Sequence, residues 1–175
     1  MKSGVVAMFK PLIDSCPGSI HVDYDEGSGA YQTLVAIAEC DVTQRVVYVV
    51  CQLVYTTNYQ PIPASLWFHE FSFYIYVNSI DGSDLSILTQ DRNIARNYIP
   101  KISIPLIMEI VIRSCDALIR RVKPDGVYRV TKVVFPIQKA LAKHDLITNS
   151  MYQLGYVLLE SGTDQFGRSY WVMTR

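Results

Sequence analysis

Residues 66–77 run Leu-Trp-Phe-His-Glu-Phe-Ser-Phe-Tyr-Ile-Tyr-Val, an alternation that fits an extended strand with two unlike faces. One face collects Trp67, His69, Phe71, Phe73, Ile75 and Val77. The other collects Phe68, Glu70, Ser72, Tyr74 and Tyr76, and it carries the chemistry. A carboxylate, Glu70, and three hydroxyls in a row are able to line a substrate cleft. The same pattern also describes a solvated face near a sheet edge with tyrosines lying over it, and alternation alone favours that plainer reading.

The remaining reactive residue types are scattered. His69 shares the mainly apolar face and fits a hydrogen-bonded core histidine, while His21 and His144 fall in a presumed strand and at a helix end, with no partner in sequence. Cys16, Cys40, Cys51 and Cys115 stand far apart without a Cys-x-x-Cys pair, so buried reduced thiols are expected and no metal site is. No Gly-x-Ser-x-Gly elbow occurs, which removes hydrolase chemistry of that type. Asp164 and Arg168 flank Gly167 in a terminal turn; a hairpin with Gly162 and Gly167 at positive φ and solvated charges is favoured there over a substrate loop. Trp171 and Met173 fit core or interface positions on a closing strand.

The elements that must position these residues follow from composition and pattern. Half of the 175 residues are hydrophobic, 18% are charged, and sixteen acidic residues balance sixteen basic ones. That composition excludes disorder and predicts one domain, spanning residues 1–175, with a weak surrounding field. Nucleic-acid binding is not expected, because the nearest basic cluster, Arg120-Arg121-Val-Lys123, sits where a helix dipole favours positive charge. No apolar run reaches membrane-span length, and the amino terminus lacks a signal-peptide core, so a cytoplasmic protein without membrane contact is expected.

Strands are predicted at about 20–24, at Tyr31 to Cys40, at Arg45 to Tyr55 and at Leu66 to Val77, the second and third forming an antiparallel pair around Asp41-Val-Thr-Gln44. The Arg45 to Tyr55 run is apolar on both alternations, which predicts cover on both faces. Residues 79–101 break the pattern and read as a long connection. A helix opens near Ser103 and Pro105 and stops at Lys123-Pro-Asp-Gly126. A strand over Val127 to Phe135, a helix opened by Pro136 and a closing hairpin complete the chain. The order predicts an α/β (α+β) fold: a single mixed, mostly antiparallel sheet with flanking helices, and a parallel step between 66–77 and 127–135.

The last forty residues, with Met151-Tyr-Gln-Leu-Gly-Tyr156 followed by a turn and Tyr170-Trp-Val-Met173, resemble the ending of acyl-CoA N-acyltransferases of the GNAT superfamily. The resemblance covers residues 66–175; the first half has little room for the two helices usual there. It implies a GNAT-like fold and transfer of an acyl group from coenzyme A to an amine, with Glu70 as base and Tyr152 as the acid for the departing thiolate. Tyr152 stands three residues before Gly155 where the family has four, and Met151 fills the expected slot. The phosphate-gripping loop, Gln/Arg-x-x-Gly-x-Gly/Ala in the family, corresponds to Gln90-Asp-Arg-Asn-Ile-Ala-Arg-Asn97, which has no glycine and places Asp91 beside the expected phosphates. Arg92 and Arg96 are the side chains able to substitute, and weak or absent acetyl-CoA binding is expected. The alternative is a non-catalytic GNAT-like module that uses its aromatic surface for a protein partner or self-association, such as an accessory or virion component of a phage or mobile element.

Overall fold

The computed structural model describes residues 8–56, 67–79, 87–89, 92–132 and 134–175. Among the described residues nine strands join in one sheet: β1 (Lys10–Pro11), β2 (Asp23–Asp25), β3 (Ala30–Cys40), β4 (Arg45–Tyr55), β5 (Phe68–Ser79), β6 (Ile87–Thr89), β7 (Gly126–Val130), β8 (Val157–Thr163) and β9 (Ser169–Thr174). The order across the sheet is β1, β3, β4, β5, β7, β9, β8, with β2 also on the outer side of β3 and β6 beside β5. All pairings are antiparallel except β5 with β7, where Phe68, Glu70 and their neighbour His69 align with Gly126, Tyr128 and Val127. The mixed sheet with one parallel step is therefore the architecture the sequence pattern predicts.

Helix α2 (Ile104–Val122) lies in the crossover between β5 and β7, preceded by the four-residue α1 (Arg92–Ala95) and a single 3-10 turn at Lys101–Ser103. Helix α3 (Gln138–Gln153) connects β7 to β8. Ile110, Val111, Cys115, Leu118, Ile119 and Val122 of α2, with Ile147 and Met151 of α3, are buried against Val47, Val49, Cys51 and Leu53 of β4 and the Phe71, Ile75 and Val77 face of β5. Each such side chain taken from water contributes about 2 kcal/mol, so this one interface supplies the core. Cys40, Cys51 and Cys115 are buried free thiols, and burial pushes Cys51 up to about 12.

Several expectations are corrected. The short strand near 20–24 is three residues at Asp23–Asp25, and two strands, β1 and β6, were not expected. The strand expected over Val127 to Phe135 ends at Val130. Its partner β9 begins at Ser169, whose main chain bonds to Thr131, and beyond that point no strand among the described residues continues the ladder. The chain turns instead, with Phe135 at φ 49°. Pro136 precedes the helix by two residues. Ser103 does not cap α2 with its hydroxyl: it is helical itself, at φ −83° and ψ −14°, so the 3-10 turn feeds straight into the helix, and the buried hydroxyl has no partner among the described residues. Lys123, at φ 53°, does end α2, and its N–H bonds to the Ile119 carbonyl.

The terminal turn also differs. Gly167 is at φ 77°, but Gly162 lies in β8 with no positive φ. Its role is clearance: a Cβ there would stand 3.2 Å from the Tyr170 hydroxyl oxygen. The charges of the turn are paired rather than solvated. One Asp164 carboxylate oxygen accepts from the N–H groups of Phe166 and Arg168, and the other binds the Arg168 guanidinium at 2.7 Å.

Candidate functional site

Helix side chains reach the core from one face of the sheet only. The opposite face carries no helix among the described residues, and the Tyr-rich alternation of β5 points into it. Among the described residues, then, helices cover β4 on one side only, where its apolar run predicts cover on both. Val50, Phe68 and Val172 are nonetheless buried there, beneath half-buried tyrosines of neighbouring strands.

A band of polar and aromatic side chains crosses this face. The Gln52 amide donates to Gln32 at 3.3 Å, and Tyr74 of β5 bonds to Gln52. Tyr48 and Tyr76 pair across β4 and β5 with their rings 6.0 Å apart. Tyr128 of β7 and Tyr170 of β9 are diagonal neighbours, standing opposite Val172 and Val130, with their rings 6.5 Å apart, and the Tyr170 hydroxyl donates to Glu160 of β8 at 2.5 Å. Glu70 sits in the middle of the band, on a central strand rather than near an edge, 3.6 Å from the Lys132 ammonium. Cross-strand aromatic pairs of this kind stabilise a sheet by roughly 0.2–1 kcal/mol each.

The electrostatics keep the phenols protonated. Burial, then the Asp25 carboxylate, pushes Tyr74 above its ordinary value. Burial, then Glu70, does the same to Tyr128. Tyr170 is raised by its hydrogen bond to Glu160. At neutral pH these groups are hydroxyl donors with flat apolar rings, which suits them to contact surfaces more than to proton abstraction.

The residues assigned to acyl transfer are not gathered in one place. Glu70 projects from the helix-free face, whereas Tyr152 lies near the end of α3, on the other side of the sheet, and is 45% exposed. The one-residue offset has a visible result: Met151 points into the core and Tyr152 to solvent. Gly155, at φ 87°, ends the helix, and the buried Tyr156 donates its hydroxyl to the Pro124 carbonyl at 2.5 Å. Arg96 is exposed in the turn after α1. The Arg92 side chain, Gln90 and Asp91 lie outside the described residues. A cleft of about 360 Å³ lies between the N-terminal segment and the two long helices, lined by Gly18, Ile20, Arg113, Asp116, Ser150 and Gln153; neither Glu70 nor Tyr152 lines it.

One cluster was missed from the sequence. Arg129 is buried on the helix side of β7 and donates to the His144 carbonyl at 3.0 Å and to the Thr148 hydroxyl, with its guanidinium 5.3 Å from the Trp171 ring centroid. Burial lowers Arg129 to about 10, and burial together with the Arg129 charge lowers His144 to about 4. Arg129 Nε and His144 Nδ1 have no partner among the described residues. The available signal was a charged residue at an inward position of the Val127 to Val130 alternation, with His144 and Thr148 one helical turn apart. His69 is buried between Trp67 and Tyr55, its Nδ1 without a partner among the described residues, and burial lowers its pKa against a hydrogen bond to the Trp67 main chain. His21 lies 2.9 Å from Asp23 at the surface.

Among the described residues no three His, Cys, Asp or Glu side chains are grouped to hold a metal ion, and no helix is long and apolar enough to cross a membrane. No protein family, no curated protein and no solved structure matches the chain.

Proposed function

We propose that this chain is a GNAT-like scaffold serving as a non-catalytic interaction module, with the tyrosine-lined face as its protein-docking surface. The observation that supports this reading is the band running from Gln32 through Tyr74 and Tyr76 to Tyr128 and Tyr170, on a sheet face that bears no helix among the described residues. Tyrosines restrained by cross-strand neighbours lose little rotamer freedom on binding, and their hydroxyls answer polar groups on a partner. The resemblance behind this reading is confined to residues 66–175, where helix, strand, helix and hairpin follow β5, and a place in an assembled particle of a phage or mobile element fits the same reading.

Acyl transfer from acetyl-CoA to an amine is the second reading. One observation favours it: the parallel ladder between β5 and β7 ends at Glu70 and Tyr128, so the carboxylate stands where the two strands part. In that mechanism Glu70 takes the proton of the attacking amine. The new C–N bond forms as the thioester C–S bond breaks, and the thiolate leaves with a proton from Tyr152. Arg92 and Arg96 would hold the cofactor phosphates. The opposite placement of Glu70 and Tyr152 weighs against it.

The two readings part in an assay of thiol release from acetyl-CoA with small and protein amines. The interaction reading expects release no faster than in buffer. Release above that rate, abolished by Glu70→Gln, would replace it with acyl transfer.

A further inference from the structure

The cleft between α2, α3 and the N-terminal segment at Gly18 and Ile20 holds two opposite charges that do not meet. Arg113 and Asp116 stand about one helical turn apart on α2, and both line it. Side chains at that spacing are neighbours on a helix surface and are able to pair directly. Here each is engaged elsewhere. Arg113 donates from Nη2 to the Gly18 carbonyl at 3.1 Å, and Asp116 Oδ2 accepts from Arg120 Nε at 2.9 Å. Those bonds commit one nitrogen of the guanidinium and one oxygen of the carboxylate, so both groups keep bonding capacity that nothing among the described residues takes up. Arg120 is 68% exposed, and an exposed pair of this kind holds Asp116 only weakly.

The opposite wall is neutral and polar. Ser150 and Gln153, three residues apart on α3, also line the cleft, and neither side chain has a hydrogen-bond partner among the described residues. Ile20, Ile112 and Ala117 supply apolar surface beside them. The volume of about 360 Å³ lies at the small end of the range for ligand sites, roughly 300–1,000 Å³, and suits a molecule the size of a single amino acid.

We propose that this cleft binds a free aliphatic α-amino acid, with its carboxylate on Arg113, its ammonium on Asp116 and its side chain against Ile20 and Ile112. A guanidinium grips a carboxylate through paired N–H donors, and a carboxylate accepts from an ammonium. A zwitterion therefore satisfies both charges at once, whereas a simple anion or cation satisfies one and is repelled by the other. Ser150 and Gln153 add neutral hydrogen bonds from across the cleft. The Arg113 bond to Gly18 persists when ligand arrives, because the guanidinium has further N–H groups to offer, and that bond keeps the N-terminal wall in place. The inference is independent of the tyrosine-face reading: α2 and α3 pack on the other side of the sheet, and none of the residues in that band is used.

Nitrogen-15 NMR titration of the intact chain tests it, with L-alanine, L-valine and L-leucine as probes and with N-acetyl-L-leucine and L-leucinamide, each of which lacks one of the two charges. L-Leucine should give saturable shifts in the amide resonances of Ala117, Ser150 and Gln153, and each singly charged analogue should bind at least about tenfold more weakly. L-Alanine should bind more weakly than L-leucine, since it covers less of Ile20 and Ile112. Arg113→Met should abolish binding. Asp116→Asn, which leaves the Gly18 bond alone, should bring L-leucine down to the level of N-acetyl-L-leucine, and it decides the matter even where Arg113→Met loosens the N-terminal segment. No saturable shift with any of the three amino acids, or shifts confined to residues away from the cleft, overturns the proposal. Equal binding of L-leucine and either analogue overturns it as well, and so does an Asp116→Asn protein that binds L-leucine as the native one does.

Discussion

The imidazole of His144 lies flat against the indole of Trp171, with 4.5 Å between ring centroids and 6° between ring planes. Arg129 approaches the same indole, so one aromatic ring serves a guanidinium and a histidine together. Only one of the two is charged at neutral pH: Arg129 stays a cation, and its charge adds to burial in holding His144 neutral.

This arrangement predicts an acid-sensitive core. The folded His144 pKa is about 4 against 6.5 for an unperturbed histidine, so between those values the unfolded chain binds more protons than the folded one. Stability from this group is therefore complete above about pH 6.5 and is lost as pH falls towards 4, by roughly 3 kcal/mol in all. Urea midpoints taken from pH 7 to pH 4 should fall for the native protein and fall much less for His144→Phe, which keeps the stack without the titration. Equal slopes would show that His144 does not carry the effect.

Arg129 predicts an asymmetry between truncation and replacement. A buried cation whose Nε finds no partner among the described residues is costly to desolvate. Arg129→Met keeps most of the volume, and the Thr148 hydroxyl still bonds to the His144 carbonyl at 3.0 Å, so unfolding free energy should change by less than about 1 kcal/mol or rise. Arg129→Ala leaves a void and should cost about 2–4 kcal/mol. Similar losses in denaturant titrations of the two variants would mean that the charge itself stabilises the fold.

Gly126 tests the parallel step. It stands opposite Phe68 in the β5–β7 register, and a Cβ there would lie 2.4 Å from the Phe68 ring. Phe68 is buried, so its ring gives way only by displacing packed neighbours. Gly126→Ala should therefore cost about 1–3 kcal/mol by overpacking, and Phe68→Leu in the same chain should recover part of it. A Gly126→Ala protein of native stability would contradict the observed packing between these strands.

What was legible in the sequence tracks how local each cause is. The two faces of β5 could be read because Phe71, Phe73 and Ile75 alternate with Ser72, Tyr74 and Tyr76, and that period is a property of the strand alone. The end of β7 could not, because Val130 is its last residue only as a consequence of where β9 begins. Gly162 was read for conformational freedom when the requirement is space for the Tyr170 ring, a cross-strand fact. That Glu70 and Tyr152 fall on opposite sides of the sheet depends on which face receives α3, and neither segment encodes that by itself. The Arg129 cluster assembles residues from β7, α3 and β9, so its sequence trace was an inward-pointing cation and a His144–Thr148 pair one helical turn apart, with nothing local to join them.

Acetyl-CoA calorimetry tests the central claim most directly. Backbone grips on pyrophosphate need glycine clearance that the segment from Gln90 to Asn97 does not contain. A protein-docking scaffold of this kind should give no saturable heat with acetyl-CoA up to millimolar concentration. Micromolar binding that disappears in the Arg92→Ala, Arg96→Ala double variant would contradict the account and identify a cofactor site held by arginine instead of glycine.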